Sequence, residues 1–441
     1  MYILIKNCNL ISMDSTREKI EYNIDILIKD NKIFKIGRNL NIDNDNTKVI
    51  DATNNYILPG FINTHSHIPM SIFRESSDGY ITQDWLEKKI WPIEDKLTDE
   101  DIYNASLLSC IEMIKTGTTT VNDHYFSTSN IINAILKSGM RAEVTRVMMD
   151  VDNNLSGRYQ ELNDLIKNYL NKYETLSINV GIHGLYTASK DCVIKAIELA
   201  KKYNLNVHMH FCENSKERID IENNYNEKNI SNIIKTYFNN THNIFAHCVK
   251  LSDEDIKTFK DLNINVSHCP ISNLKLGCGI ANIPKMLENG INVSLGTDGQ
   301  GSGCNLDMFE TLKFTGLLQK GINENPMLLP AYDILKMATI NGAKALNKEN
   351  LIGSIKENKL ADLIILDLSD ILLQPINDIF ADIVYNAKGS NVITTIINGK
   401  IVMENRHLNN LDEATVITNC KNILHNKKHW NFQCFLYYLL L

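Results

Sequence analysis

No stretch of about 18 consecutive apolar residues exists in the chain, so no membrane span is expected. No basic stripe stands out either. The net charge is -7, with acidic and basic residues mixed throughout, which argues against nucleic acid as the main partner. The ten cysteines lack short paired spacings. In so long a chain they make no disulfide framework and suit reduced thiols in a cytoplasmic protein. Met1 to Ile11 alternates like a strand and lacks a basic segment followed by an apolar run, so no signal peptide is expected. What remains is a 441-residue chain long enough to bury a large core, naturally divided into one barrel-sized domain and a smaller one.

Residues 1–58 carry short strand-like runs without helical periodicity: Tyr2 to Lys6, Asp25 to Ile28 and Lys32 to Gly37. Residues 359–403 look alike, with Asp362 to Asp367 and then Val392 to Val402 around the hairpin turn Asn398-Gly399. Both ends are therefore all-β and are expected to pair into one small sandwich. Between them strand-like runs alternate with helical patterns, the signature of parallel β/α units. Eight such runs fall near 61–67, 117–122, 143–148, 178–184, 206–212, 243–248, 264–268 and 292–298. Helices are expected over 101–115, over 188–203 after Thr187 as N-cap, and after Ser252, which with Asp255 resembles a capping box.

The expected fold class is α/β. A TIM-like (β/α)8 barrel covers residues 59–355, with the active site at the C-terminal ends of its strands. A small β-sandwich domain is formed from residues 1–58 and 356–441, the latter including a C-terminal helix and tail. A doubly wound open sheet is the alternative. The barrel is preferred because reactive residues end strands on both sides of any possible switch point. The apolar tail from Trp430 to Leu441 is too short to cross a bilayer. It is read as packing on the sandwich or on a neighbouring subunit, and a homo-oligomer is expected.

The first barrel run ends Asn63-Thr64-His65-Ser66-His67. Strand side chains alternate, so His65 and His67 point to the same side, where two imidazoles can grip one ion. The fifth run brings His208 and His210, the sixth His247 and the eighth Asp298. In a barrel these strand ends surround one axis, so His65, His67, His210, His247 and Asp298 can reach a common metal, with His208 as a supporting core histidine. Imidazoles with one carboxylate suit zinc, and iron is the other possibility. One divalent ion per chain is expected, with an open position for a water whose pKa a bound zinc lowers to about 7. Asp298 can take up that water's proton. Glu213 follows His210 by three residues; as a further ligand it would close the site, so it is read as the group that carries protons to a substrate nitrogen.

These motifs, from Pro59-Gly60-Phe61 through His67, His210-x-x-Glu213, His247-Cys248, Ser267-His268 and Thr297-Asp298-Gly299, resemble the amidohydrolase superfamily over essentially the whole chain. Two-metal members usually carry a carboxylated lysine at the end of strand four. Here that strand ends Gly181-Ile182-His183-Gly184, which favours a single metal. Within the superfamily the chain is most similar to the aminohydrolases that deaminate 5′-methylthioadenosine and S-adenosylhomocysteine. The resemblance implies that Trp85 packs on the ligand, Glu94 binds the ribose hydroxyls, His183 contacts the nucleoside and Ser302 the purine. It also implies that Arg146, ending strand three, and Arg158, in the following loop, bind the amino-acid carboxylate. Arginine suits bidentate carboxylate recognition. Three positions depart from the family. Cys269 stands where asparagine is usual, Cys278 is uncommon, and His124 replaces an often apolar residue. A second zinc on His124, Cys269 and Cys278 competes with a reading of ordinary buried thiols, which is preferred.

The expected function is hydrolytic, metal-dependent deamination of adenosine-type nucleosides, with Asp298, Glu213 and His247 acting on the water and the ring and a small-molecule nucleoside as the partner. Alternatives are a deaminase of adenosine or 5′-deoxyadenosine, of guanine, cytosine or a pterin, or a triazine chlorohydrolase. A non-catalytic scaffold is the alternative of another class. Paired arginines with Glu94 speak for a ribosylated substrate bearing a carboxylate; a scaffold would be expected to have lost metal ligands.

Overall fold

The computed structural model describes residues 1–42, 46–423 and 425. Eight strands of the middle region form a single parallel sheet. In order they are Phe61–Ser66, Thr118–Tyr125, Arg141–Met148, Leu176–Ile182, Val207–Phe211, Asn243–His247, Asn265–His268 and Val293–Leu295, and each pairs with the next. The two ends of the sheet meet. The Asp298 N–H donates to the His65 carbonyl at 3.0 Å, and the Thr64 hydroxyl donates to the Leu295 carbonyl at 2.9 Å. This is the closed barrel, and the open-sheet alternative falls. Apart from the half-buried Ser177, its strands are buried along their whole length, as strands covered on both faces must be.

Strands from both chain ends join a second, nine-stranded mixed sheet. Leu363–Leu366 pairs antiparallel with Tyr56–Pro59, and Tyr2–Leu10 pairs with Glu21–Lys29, Thr47–Asp51 and Tyr56–Pro59. One side chain in two along Tyr2–Leu10 (Ile3, Ile5, Cys8, Leu10, with two register shifts against Glu21–Lys29) enters a core shared with Ile26, Ile28, Leu363 and Ile365. Asn398-Gly399 turns the chain between Val392–Ile397 and Lys400–Glu404, as its turn chemistry predicts.

Local expectations fare unevenly. The helix expected over 101–115 runs Asp99–Lys115, capped by Thr98. Ser252 and Asp255 form a reciprocal capping box at the start of Asp253–Asp261. The helix expected after Thr187 is Lys190–Tyr203, and its cap is Ser189, whose hydroxyl accepts from the Cys192 N–H at 3.2 Å. The Thr187 hydroxyl is taken up elsewhere, bonding the Gly184 carbonyl and the His183 ring. The second barrel strand extends to Tyr125, three residues past its expected end. The apolar tail lies outside the described residues. Among the described residues every cysteine is a free thiol, and no helix is long and apolar enough to cross a membrane.

Candidate metal centre and substrate pocket

The C-terminal strand ends bring His65, His67, His210, His247 and Asp298 together. His67 Nε2 lies 3.0 Å from Asp298 Oδ1 and 3.3 Å from His210 Nε2; His65 Nε2 lies 3.5 Å from the same carboxylate oxygen. His65, His210 and His247 form one set of mutually close ligand atoms, and His65, His67 and Asp298 another, each within 4.8 Å. The outer nitrogen of every ring is tied. His65 Nδ1 meets His208 Nε2 at 2.8 Å, His67 Nδ1 the His124 carbonyl at 2.5 Å, His210 Nδ1 the His183 carbonyl at 2.8 Å, and His247 Nδ1 the Asn273 side chain at 2.8 Å. Such outer contacts fix the tautomer and aim the other nitrogen inward. His65 Nε2 is buried without a hydrogen-bond partner, the condition a metal would relieve. The donor set therefore fits a divalent ion.

Electrostatics agree. Burial drives the His65 ring down to about 3 and holds His210 well below its ordinary value, so both are neutral. Burial alone would raise Asp298, but the adjacent His65 and His67 rings prevail and hold its carboxyl well below the usual range. Asp298 is thus kept as the anion that binds a cation. Both His247 and Asp298 have left-handed backbone, at φ 71° and 62°, a conformation uncommon outside glycine and frequent at functional sites.

Two hydroxyls grip the other oxygen of Asp298. Ser272 Oγ donates to Oδ2 at 2.6 Å and Ser302 Oγ at 2.7 Å. Ser302 lines the pocket as expected, and its hydroxyl is engaged with Asp298. Glu213 sits in the loop after the fifth strand, its Oε1 3.9 Å from His247 Nδ1 and 3.5 Å from Cys278 Sγ. That loop is held from below. Glu217, in the helix Ser215–Tyr225, accepts the backbone N–H groups of Cys212 and Glu213 at 2.8 and 2.7 Å. Burial, then the charge of Glu213, pushes the Glu217 carboxyl up to about 7.

These groups open into a cavity of about 800 Å³. Trp85, Glu94, Arg146, Arg158, His183, Glu213 and Ser302 all line it. Trp85 is buried and its Nε1 donates to Ser76 Oγ at 2.9 Å. Gly301 makes room for it, since a Cβ there would stand 2.8 Å from Trp85 Cζ2. The Tyr125 hydroxyl donates to Glu94, whose carboxyl burial nevertheless raises. His183 Nδ1 meets Thr187 Oγ1 at 2.9 Å, and burial lowers its ring to about 4. Arg158 stands in the helix Leu155–Tyr169, one turn in, and not in a loop as the sequence suggests.

The second-zinc set is not assembled. Cys278 faces Glu213, and the Cys269 thiol turns to the Ser267 carbonyl at 3.6 Å. His124 instead clusters with His65 and His208 and with His67 and His210. Sequence reasoning missed Ser272, Asn273 and Glu217. Their residue types are commonplace, and only their fixed offsets from His268 and Glu213 mark them.

A model of the amidohydrolase family matches residues 56–402. A 5′-deoxyadenosine deaminase of Methanocaldococcus jannaschii is 44% identical over 397 residues, covering 89% of this chain and 94% of the relative. A 5-methylthioadenosine/S-adenosylhomocysteine deaminase of Syntrophomonas wolfei is 38% identical over 423 residues, covering 96% and 98%. Among solved structures, an adenosine deaminase from Xanthomonas campestris with bound zinc superposes with a TM-score of 0.92 at 25% identity, covering 97% of this chain and 98% of that one.

Proposed function

The chain belongs to the amidohydrolase family, and from that premise we propose that it deaminates adenosine-type nucleosides by hydrolysis, with one zinc ion per chain. The relatives named for 5′-deoxyadenosine and for 5-methylthioadenosine/S-adenosylhomocysteine support the substrate class. The observation that carries the reading is the position of Glu213 beside His247 of the histidine and aspartate cluster, in the lining of a cavity that also presents Glu94 and Trp85.

His65, His67, His210, His247 and Asp298 would hold the metal. Bound there, it would supply hydroxide at neutral pH by acidifying a water. Asp298 receives the proton of the attacking water, with Oδ2 steadied by Ser272 and Ser302. His247, oriented by Asn273, directs the water toward C6 of the adenine ring. Glu213 delivers a proton to N1, so that the ring accepts the electron pair displaced by attack. Asp298 then returns its proton to the departing amine, and the C6 hydroxyl gives its proton to Glu213 as the carbonyl forms, which restores the acid. Ammonia and an inosyl product result. Glu94 accepts two hydrogen bonds from the ribose diol, and the buried Trp85 offers an apolar wall.

The test is a panel of adenosine, 5′-deoxyadenosine, methylthioadenosine, S-adenosylhomocysteine, guanine and cytosine, scored by ultraviolet loss and ammonia release. Turnover of the nucleosides and not of the free bases is expected. Turnover confined to guanine or cytosine would overturn the assignment.

A further inference from the structure

We infer that Asp152 and Glu161 form a charge filter at the end of the pocket that receives the 5′ substituent, admitting nucleosides whose 5′ group carries no net charge and rejecting net anions such as a 5′-phosphate. The inference rests on the nucleoside reading above.

Three cations line the cavity: Arg146, Arg158 and Lys216. Each already holds an acid of the protein. Arg158 is clamped bidentately, Nη2 to Asp152 Oδ2 at 2.6 Å and Nη1 to Asp152 Oδ1 at 2.5 Å, with the Met149 carbonyl as a third acceptor at 3.0 Å. Arg146 Nε donates to Glu161 Oε2 at 2.6 Å, with Nη2 on the same oxygen and Nη1 on the Val147 carbonyl at 2.6 Å. Lys216 Nζ pairs with Asp220 at 2.7 Å. Both guanidinium side chains are under a tenth exposed, while Asp152 and Glu161 are half exposed. The arginines are therefore fixed features of the wall; Asp152 lines the cavity with them, while the half-exposed Glu161 neutralises Arg146 from outside the lining.

Two bare arginines would form an anion site. Neutralised ones do not. A phosphate entering here must displace a carboxylate tethered six residues away, at an effective concentration that a dilute ligand cannot match. The displaced acid stays nearby and repels it. Hydrogen bonds from Arg158 hold Asp152 down to about 2, so the acid remains charged at any working pH. A zwitterionic 5′ group meets no such penalty, because its ammonium can face the acid as its carboxylate faces the arginine. A methyl or methylthio group needs neither.

The experiment measures kcat/KM of the zinc-loaded enzyme for 5′-deoxyadenosine, methylthioadenosine, adenosine 5′-monophosphate and 5′-carboxymethylthioadenosine. In the wild type the two anions should be poorer than their neutral counterparts by about tenfold or more. Asp152→Asn and Glu161→Gln, which act on different arginines from different segments, should each raise the anion-to-neutral ratio by about tenfold. The gain should shrink as salt is added, because these charges are partly exposed. Wild-type enzyme that takes the monophosphate as well as 5′-deoxyadenosine overturns the filter without reference to any variant. Ratios unchanged in both variants overturn it as well. If no neutral nucleoside is deaminated, the nucleoside reading itself falls, and the filter with it.

Discussion

The Ser302 hydroxyl donates to Asp298 Oδ2 across 2.7 Å, from the first turn of structure after the eighth barrel strand. With Ser272 on the same oxygen, it leaves Oδ1 as the atom facing His65 and His67. Both oxygens are held, Oδ2 by the two hydroxyls and Oδ1 by the Gly299 N–H at 2.8 Å, and only Oδ1 also faces the histidines. Ser302→Ala removes one hydrogen bond to a charged group, worth about 1.5–3 kcal/mol. With Ser272 still in place, the loss should lie near the lower end, about tenfold in kcat. Steady-state kinetics alongside metal analysis check this. Wild-type kcat in a zinc-loaded variant would remove Ser302 from the account.

Glu213→Gln keeps size and hydrogen bonding but cannot transfer a proton. General acid–base steps contribute about 10²–10⁴-fold, so kcat should fall in at least that range with the metal retained. A metal-loaded variant with near-normal kcat would exclude the assigned role.

Chelation should remove about one divalent ion per chain, with loss of activity and a lower Tm, because binding to the folded site alone stabilises it. Elemental analysis showing two tightly held ions, or full activity after complete chelation, contradicts the single-metal proposal.

Much of this was legible in the sequence. The His65-x-His67 pair declares itself through strand alternation, and the parallel barrel through its repeated strand-helix pattern. His208 takes the supporting place expected of it, against His65. Other features depend on where folding carries ordinary residues. Ser272 and Asn273 reach Asp298 and His247 because the short helix Pro270–Lys275 begins directly at the end of the seventh strand. Asp152 and Glu161 look like solvated charges until the fold lays a loop and a helix face against the two arginines. Ser189 displaces Thr187 as a cap because Thr187 turns back to its own loop.

Glu217 gives a pH dependence of known sign. Its folded pKa, about 7, lies above the ordinary carboxylate value of 4.5. Between those values the folded chain keeps a proton that the unfolded chain releases. Its contribution to stability therefore declines as pH rises from about 4.5 through about 7 and levels off above. Glu217→Gln abolishes that slope. The stability gap between wild type and variant, measured by denaturant unfolding at pH 5 and pH 8, should shift toward the variant at the higher pH. A gap constant across that window would mean that Glu217 is ionised throughout.

The substrate residues separate by which part of the nucleoside they meet. Arg146 and Arg158 are each paired with an acid, while Glu94 accepts from the Tyr125 hydroxyl. Removing either arginine leaves an unpaired acid facing the 5′ group. That acid should repel the carboxylate of S-adenosylhomocysteine while leaving the methyl group of 5′-deoxyadenosine indifferent. A charge-assisted hydrogen bond contributes roughly 1.5–3 kcal/mol, so Arg146→Met or Arg158→Met should lower kcat/KM for S-adenosylhomocysteine by about one to two orders of magnitude. Methylthioadenosine and 5′-deoxyadenosine should change several-fold at most. Glu94→Ala should depress all three together, because all carry the ribose diol. The measurement is kcat/KM for the three nucleosides across the three variants. Equal losses on charged and uncharged substrates in the arginine variants would mean that these side chains brace the third strand and its helix, and their assignment to the 5′ end would have to be abandoned.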